Sequence, residues 1–209
     1  QNQTLLVKAK TGVSQVSLTV SGEVETHCSD GIYGKIYGPA PLWLYTQNTR
    51  RTTAGRGILK LAKIARQNDD TLSNLHTLSK AILDVVPYGQ ATTFAGTTAE
   101  EALIAGGGVC QDHAQIFIAA ARAAGIPTRY VSGYLMMNDR VDQDASHAWA
   151  EAHIDGLGWV GFDVSNGLSP DERYVRIATG RDSRDAAPIR GMRLGTAHES
   201  MIVSLQIQQ

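Results

Sequence analysis

Cysteine is scarce in this chain: of 209 residues only Cys28 and Cys110 carry a thiol, so there is no disulfide framework, and a single bridge would rest on the count alone. Charge of neither sign is in excess. Nineteen Lys plus Arg stand against twenty Asp plus Glu, a formal net charge of -1, and no sustained basic run offers an electrostatic footprint for nucleic acid. No segment approaches the roughly 20 uninterrupted apolar residues that span a bilayer, and the polar start QNQTLLVKAK lacks a signal-peptide apolar region. Nucleic acid and membrane are therefore not expected partners, and the cytoplasm is the expected compartment; a start at Gln1 rather than Met leaves export of a longer precursor open. Internal repeats and low-complexity segments are also missing. What remains is a chain 43% apolar, long enough for one main core and a small appended β unit.

Residues 1 to about 27 alternate apolar and polar, with Val16, Leu18 and Val20 on one face and Val24 after the Gly22 break, which reads as strands of a sheet. Gly31, Gly34, Gly38, Pro39 and Pro41 punctuate a connector, so residues 1–52 are expected to be a partial β-rich N-terminal region and residues 53–209 the main core. Helical patterns follow. Leu72, Leu75, Leu78, Ile82 and Val85 recur at spacings of three and four, with Asp70 placed to cap the start and Pro87 to end it. Thr98 and Glu101 form a capping box for a short helix that runs out at Gly106 to Gly108. A helix from about Val109 to Ala124, apolar nearly all round, is expected to be buried at the centre. The runs TRYVSGYLMM, SHAWAEAHI, GWVGFDV, RYVRIATG and ESMIVSLQI then read as strands, and helices followed by strands argue for an α+β fold with an antiparallel sheet.

Cys110 falls where the glycine run meets this central helix. Unsatisfied N–H groups and the positive end of the helix dipole at such a position favour the thiolate, the nucleophilic form; without partners, the same residue is a small buried hydrophobe. In SHAWAEAHI, His147, Trp149, Glu151 and His153 share one strand face and the alanines the other. A three-residue loop, Asp155-Gly156-Leu157, opposes Ile154 to Gly158 and Trp149 to Asp163, leaving His147 and Asp163 diagonal on one face. A two-residue loop would send Asp163 to the other face. Given the contact, Cys110, His147 and Asp163 fill the nucleophile, base and orienting roles of acyl transfer.

The blocks GVCQDHAQIFIAAARAAGIPTRYVSGYL and SHAWAEAHIDGLGWVGFDVSNG resemble the transglutaminase-like superfamily, in particular its bacterial branch of candidate cysteine proteases. The likeness runs from a Cys before a helix ending in Gly-Ile-Pro, through a strand Arg-Tyr-Val-Ser-Gly-Tyr and a His-Ala-Trp strand, to a strand ending in Phe162-Asp163, and covers roughly residues 53 to 195. It implies a papain-like core, a central helix packed on an antiparallel sheet, with a Cys110-His147-Asp163 triad, preceded by part of a β-rich N-terminal region whose strands lack partners within this chain.

An oxyanion hole would draw on the Cys110 N–H, with Gln111 and Tyr88 as candidate second donors. Gly108 would let substrate backbone approach, and Trp149 and Trp159 would wall a groove, although helix termination and sheet packing account equally for these residues. The implied partners are a peptide or protein substrate and, for crosslinking, an amine acceptor, since a thioester can be resolved by water or by an amine; hydrolysis of peptide or amide bonds is the favoured outcome. No cofactor is implied. A zinc site from Cys110, His113, His147 and His153 is a rival, weakened by the absence of paired Cys-x-x-Cys or His-Glu-x-x-His spacing. A non-catalytic binding module is the other. Asp139, Asp142 and Asp144 lack EF-hand spacing and read as a solvated or gating loop before His147, not a calcium cage.

Overall fold

The computed structural model describes residues 2–35, 40–89, 93–137, 141–143, 146–191 and 200–208. Four helices precede the main sheet strands, apart from one N-terminal strand: β1 (Ile32–Gly34), α1 (Arg56–Leu61), α2 (Thr71–Val85), α3 (Ala99–Ala105), α4 (Cys110–Ala123), β2 (Thr128–Leu135), β3 (Asp142–Gln143), β4 (His147–Ile154), β5 (Gly158–Phe162), β6 (Tyr174–Gly180) and β7 (Leu205–Gln206). Five strands form a curled antiparallel sheet in the order β1-β5-β4-β2-β6, and β3 pairs separately with β7. This is the α+β arrangement that the order of patterns predicts.

Helix α4 is the core. Its residues from Asp112 to Arg122 are all buried, and it lies on the face of β4 carrying Ala148, Ala150 and Ala152, whose small side chains let helix and sheet approach closely. Phe117 stacks on Phe162 of β5, ring centroids 5.0 Å apart. Leu75, Leu78 and Ile82 of the α2 stripe pack on the same cluster with the C-cap Val86, while Val85, expected in the stripe, is exposed. Asp70 accepts from Ser73 N at the start of α2, and Thr98 and Glu101 close the capping box of α3. Gly106 at φ +67° ends α3 in the left-handed conformation that glycine adopts without strain.

The alternation at the N-terminus has a different outcome. Residues 2–31 carry no helix or strand, and Val16, Leu18, Val20 and Val24 are exposed. A lone strand gains no ladder hydrogen bonds, so apolar alternation without a partner edge forms none. Only Ile32–Gly34 joins the sheet, at the β5 edge, where Gly158 at φ +82° permits the pairing: a Cβ there would lie 2.3 Å from the Gly34 backbone. Of the run ESMIVSLQI only Leu205–Gln206 is strand. Gly38 and Pro39 of the connector lie outside the described residues, as do Asp139 and Asp144.

Arg122, near the end of α4, fastens the connector to this core. Its guanidinium donates to the carbonyls of Tyr45, Gln47, Thr128 and Arg181 and to the Thr52 hydroxyl, at 2.7–3.1 Å. The side chain is buried, and a fork of five donors matches acceptors arriving from several directions. Arg122→Leu is expected to cost ~3 kcal/mol or more, because it strips buried acceptors of their donor, and Arg122→Lys should recover little of it. The urea midpoints of the two variants check this.

Candidate active site

The entry to α4 is built from three local devices. Gly108 bridges to Tyr88, with Gly89 N donating to Gly108 O at 2.8 Å, so the chain before the helix is held extended. Val109 then occupies the N-cap; its N–H donates to Asp112 Oδ2 at 2.9 Å, while its carbonyl accepts from the amides of Asp112 and His113. Thr93 donates its hydroxyl to the same Asp112 oxygen at 2.6 Å. Cys110 and Gln111 therefore sit in the first helical turn, partly exposed, with amides that have no intrahelical acceptor.

Gly108 itself is buried and cannot receive substrate backbone as expected. Its missing side chain is filled by Asp112, whose Cβ and Oδ2 would lie 2.8 and 2.9 Å from an added Cβ. Gly108→Ala should push Asp112 off its cap and destabilise the protein by about 1–3 kcal/mol. A urea titration, with the iodoacetamide alkylation rate of Cys110 as a local probe, reads both effects.

His147 opens β4 opposite Gly133, at the sheet end nearest the start of α4. The hairpin to β5 has the three-residue loop, with Ile154 opposite Gly158 and Ala150 opposite Phe162, and this register carries Asp163 to His147. His147 Nε2 lies 2.6 Å from Asp163 Oδ2, and the imidazole also interacts with the Cys110 thiol. With Nε2 committed to Asp163, Nδ1 is the nitrogen left for the thiol. Burial acts against the imidazolium, but the hydrogen bonds with Asp163 and Cys110 and their charges outweigh it and raise the His147 pKa to about 10.

Asp163 is fully buried, and its neighbours compensate for that. Oδ2 also accepts from Asn166 Nδ2 and from the Tyr174 hydroxyl, each at 2.7 Å, and Oδ1 accepts from Asn166 N at 3.3 Å. Burial alone would raise its pKa; the bonds from His147, Tyr174 and Asn166 bring it below the usual carboxylate value.

Tyr88 stands at the rim, 55% exposed. Burial and the charges of Cys110 and Asp163 raise the pKa of its phenol. Trp149 and Trp159, expected to wall a groove, are only 1% and 3% exposed. Both turn to the sheet face away from α4: Trp149 packs against His147 and edge-on to Tyr174, and Trp159 lies under the Arg129 guanidinium at 3.9 Å. Large aromatic surface is better satisfied there than at an open cleft.

His113 is held apart from this group. Nε2 lies 2.7 Å from the Val86 carbonyl and Nδ1 2.7 Å from Ser165 Oγ. Because a carbonyl only accepts, Nε2 carries the proton and Nδ1 accepts from the serine, so both nitrogens are engaged, and burial lowers the imidazole pKa. His153 packs on Trp159 instead. Among the described residues, no three His, Cys, Asp or Glu side chains are grouped to hold a metal ion, and no helix is long and apolar enough to cross a membrane.

Residues 60–164, half of the chain, match the transglutaminase-like superfamily. The chain belongs to that superfamily. An uncharacterised protein of Mycobacterium tuberculosis is 36% identical over 143 residues, 64% of this chain and 45% of that protein. One of Mycobacterium leprae is 34% identical over 134 residues, 62% of this chain and 46% of that protein. The crystal structure of a candidate cysteine protease from Cytophaga hutchinsonii aligns with a TM-score of 0.64 at 28% identity, covering 80% of this chain and 56% of that one. The chain thus spans about half the length of the relatives it matches. The transglutaminase-like match ends at Val164, one residue after Asp163, so Cys110, His147 and Asp163 all lie inside it while Asn166 and Tyr174 lie outside.

Proposed function

We propose that this protein catalyses thiol-dependent acyl transfer, with hydrolysis of peptide or amide bonds as its reaction. The observation that carries the reading is one imidazole bonded at 2.6 Å to a buried carboxylate and interacting with a partly exposed thiol at a helix N-terminus. With the thiol proton held on His147 Nδ1, Cys110 Sγ attacks the carbonyl carbon; the C–N bond then breaks and that proton passes to the departing amine, leaving a thioester. Water attacks the thioester, gives its proton to His147, and the C–S bond breaks to release the acid and restore the thiol. Asp163 keeps the Nε2–H tautomer and supports the imidazolium. The free first-turn amides at Cys110 and Gln111 are the oxyanion donors, with the Tyr88 phenol at the rim as a further one. The likeness to a candidate cysteine protease supports hydrolysis over crosslinking.

The test is cleavage of fluorescein-labelled casein and of peptidyl-aminomethylcoumarins, with and without monodansylcadaverine as a competing amine. Turnover that iodoacetamide abolishes supports the thiol mechanism, and stable incorporation of the amine at the expense of acid would move the assignment to transamidation. Turnover indifferent to iodoacetamide would end it.

A further inference from the structure

A His–Asp pair needs one acceptor oxygen for one donor, yet three donors converge on Asp163 Oδ2: His147 Nε2 at 2.6 Å, Asn166 Nδ2 at 2.7 Å and the Tyr174 hydroxyl at 2.7 Å. A carboxylate oxygen has about two lone pairs, so these donors compete, and each bond made by the others draws charge away from the imidazole. Asn166 is exposed and water can take its place. Tyr174 cannot be replaced in this way. It is buried, it starts β6 opposite Leu135, Met136 N ties the preceding carbonyl of Arg173, and its ring packs against both His147 and Trp149, at centroid distances of 5.9 and 5.4 Å.

We infer that Tyr174 is a positioning residue that sets the proton affinity of His147 by sharing Asp163 Oδ2. The inference rests on the acyl-transfer reading of Cys110, His147 and Asp163. An imidazole that must take a proton from the thiol and return it to the leaving amine is slowed if its imidazolium is held too firmly, and the Tyr174 hydroxyl moderates that hold. Burial and the Asp163 charge push the phenol pKa far up, so it stays a donor throughout the working range. The titratable groups facing His147 are Cys110 from α4, Asp163 from the end of β5 and Tyr174 from β6, with Tyr88 bearing on the first two.

Histidine-labelled full-length protein, with the His147 resonance assigned by His147→Asn, gives the titration midpoint by NMR. Tyr174→Phe keeps the ring and removes only the hydroxyl; it should raise the midpoint by about half to one unit. Incorporating 3-fluorotyrosine at 174 strengthens the donor without changing the packing and should lower it, which keeps the test open if Tyr174→Phe folds poorly. Opposite shifts in the two proteins support the inference; a midpoint within about 0.2 unit of the parent in both overturns it, because a purely structural tyrosine changes stability and not the titration. The readout needs no turnover. If Cys110 were not a nucleophile the midpoint would still move, and if Tyr174 were only packing, iodoacetamide-sensitive turnover would persist with the midpoint unmoved.

Discussion

Cys110→Ala abolishes turnover, a loss of at least ~10⁴-fold, while changing stability by no more than about 1 kcal/mol. The two halves of this result have separate causes. The rate depends on a covalent bond that alanine cannot form, so no neighbouring group compensates. The fold depends little on the sulfur, because Cys110 is partly exposed and packs only at the edge of the core, and the α4 cap is made by Asp112 on the Val109 amide. The same variant should lower the His147 pKa from about 10 without returning it to 6.5, since the Asp163 bond remains after the thiol contribution is gone. Peptide cleavage, the urea midpoint and the NMR titration measure the three parts, and a variant that folds and still cleaves would remove Cys110 from the mechanism.

Much of the candidate site's geometry is legible in the sequence because it rests on local rules. The His147 strand announces its faces by alternation, the alanines meet α4 as the pattern requires, and the loop Asp155–Leu157 sets a register that brings Asp163 to His147. The roles of Tyr174 and Asn166 are not legible in the sequence, for a physical reason. Tyr174 reaches Asp163 only because β6 pairs with β2 across an irregularity between Ser132 and Gly133, and no periodicity within YVRIATG encodes that pairing. Asn166 lies in the turn closed by Gly167 N donating to Val164 O, and that turn folds its amide back onto the carboxylate. Alternation gives the strand face of Trp149 and Trp159 but not what covers that face, and both are buried. In residues 2–31 the alternation describes a face and does not by itself supply a partner edge.

Asp163→Ala lowers turnover by ~10³-fold and leaves a stability deficit whose size depends on pH. Asp163 and Cys110 together raise the folded pKa of His147 from 6.5 to about 10, so the stabilisation they give is complete below pH 6.5, shrinks as pH rises from there, and is gone above about 10; Asp163→Ala removes the Asp163 share. Asp163 has its pKa lowered from 3.8, so its share is present above that value and disappears as acid reaches the folded-state value. The two shifts define one window. Between about pH 4 and 6.5 the parent exceeds the variant by on the order of 3 kcal/mol, and the gap narrows steadily toward pH 10. Cavity formation and the unpaired Tyr174 hydroxyl contribute a part that does not vary with pH, so the narrowing isolates the charge pair. Asp163→Asn keeps an acceptor for Nε2–H without the charge; it should retain more turnover than the alanine variant and still lose the pH-dependent part. Urea midpoints of parent and variants at pH 5.5, 7.5 and 9.5 decide the matter: a gap that stays constant across the three would mean that His147 is neutral in the folded protein and that Asp163 serves it only as a hydrogen-bond acceptor.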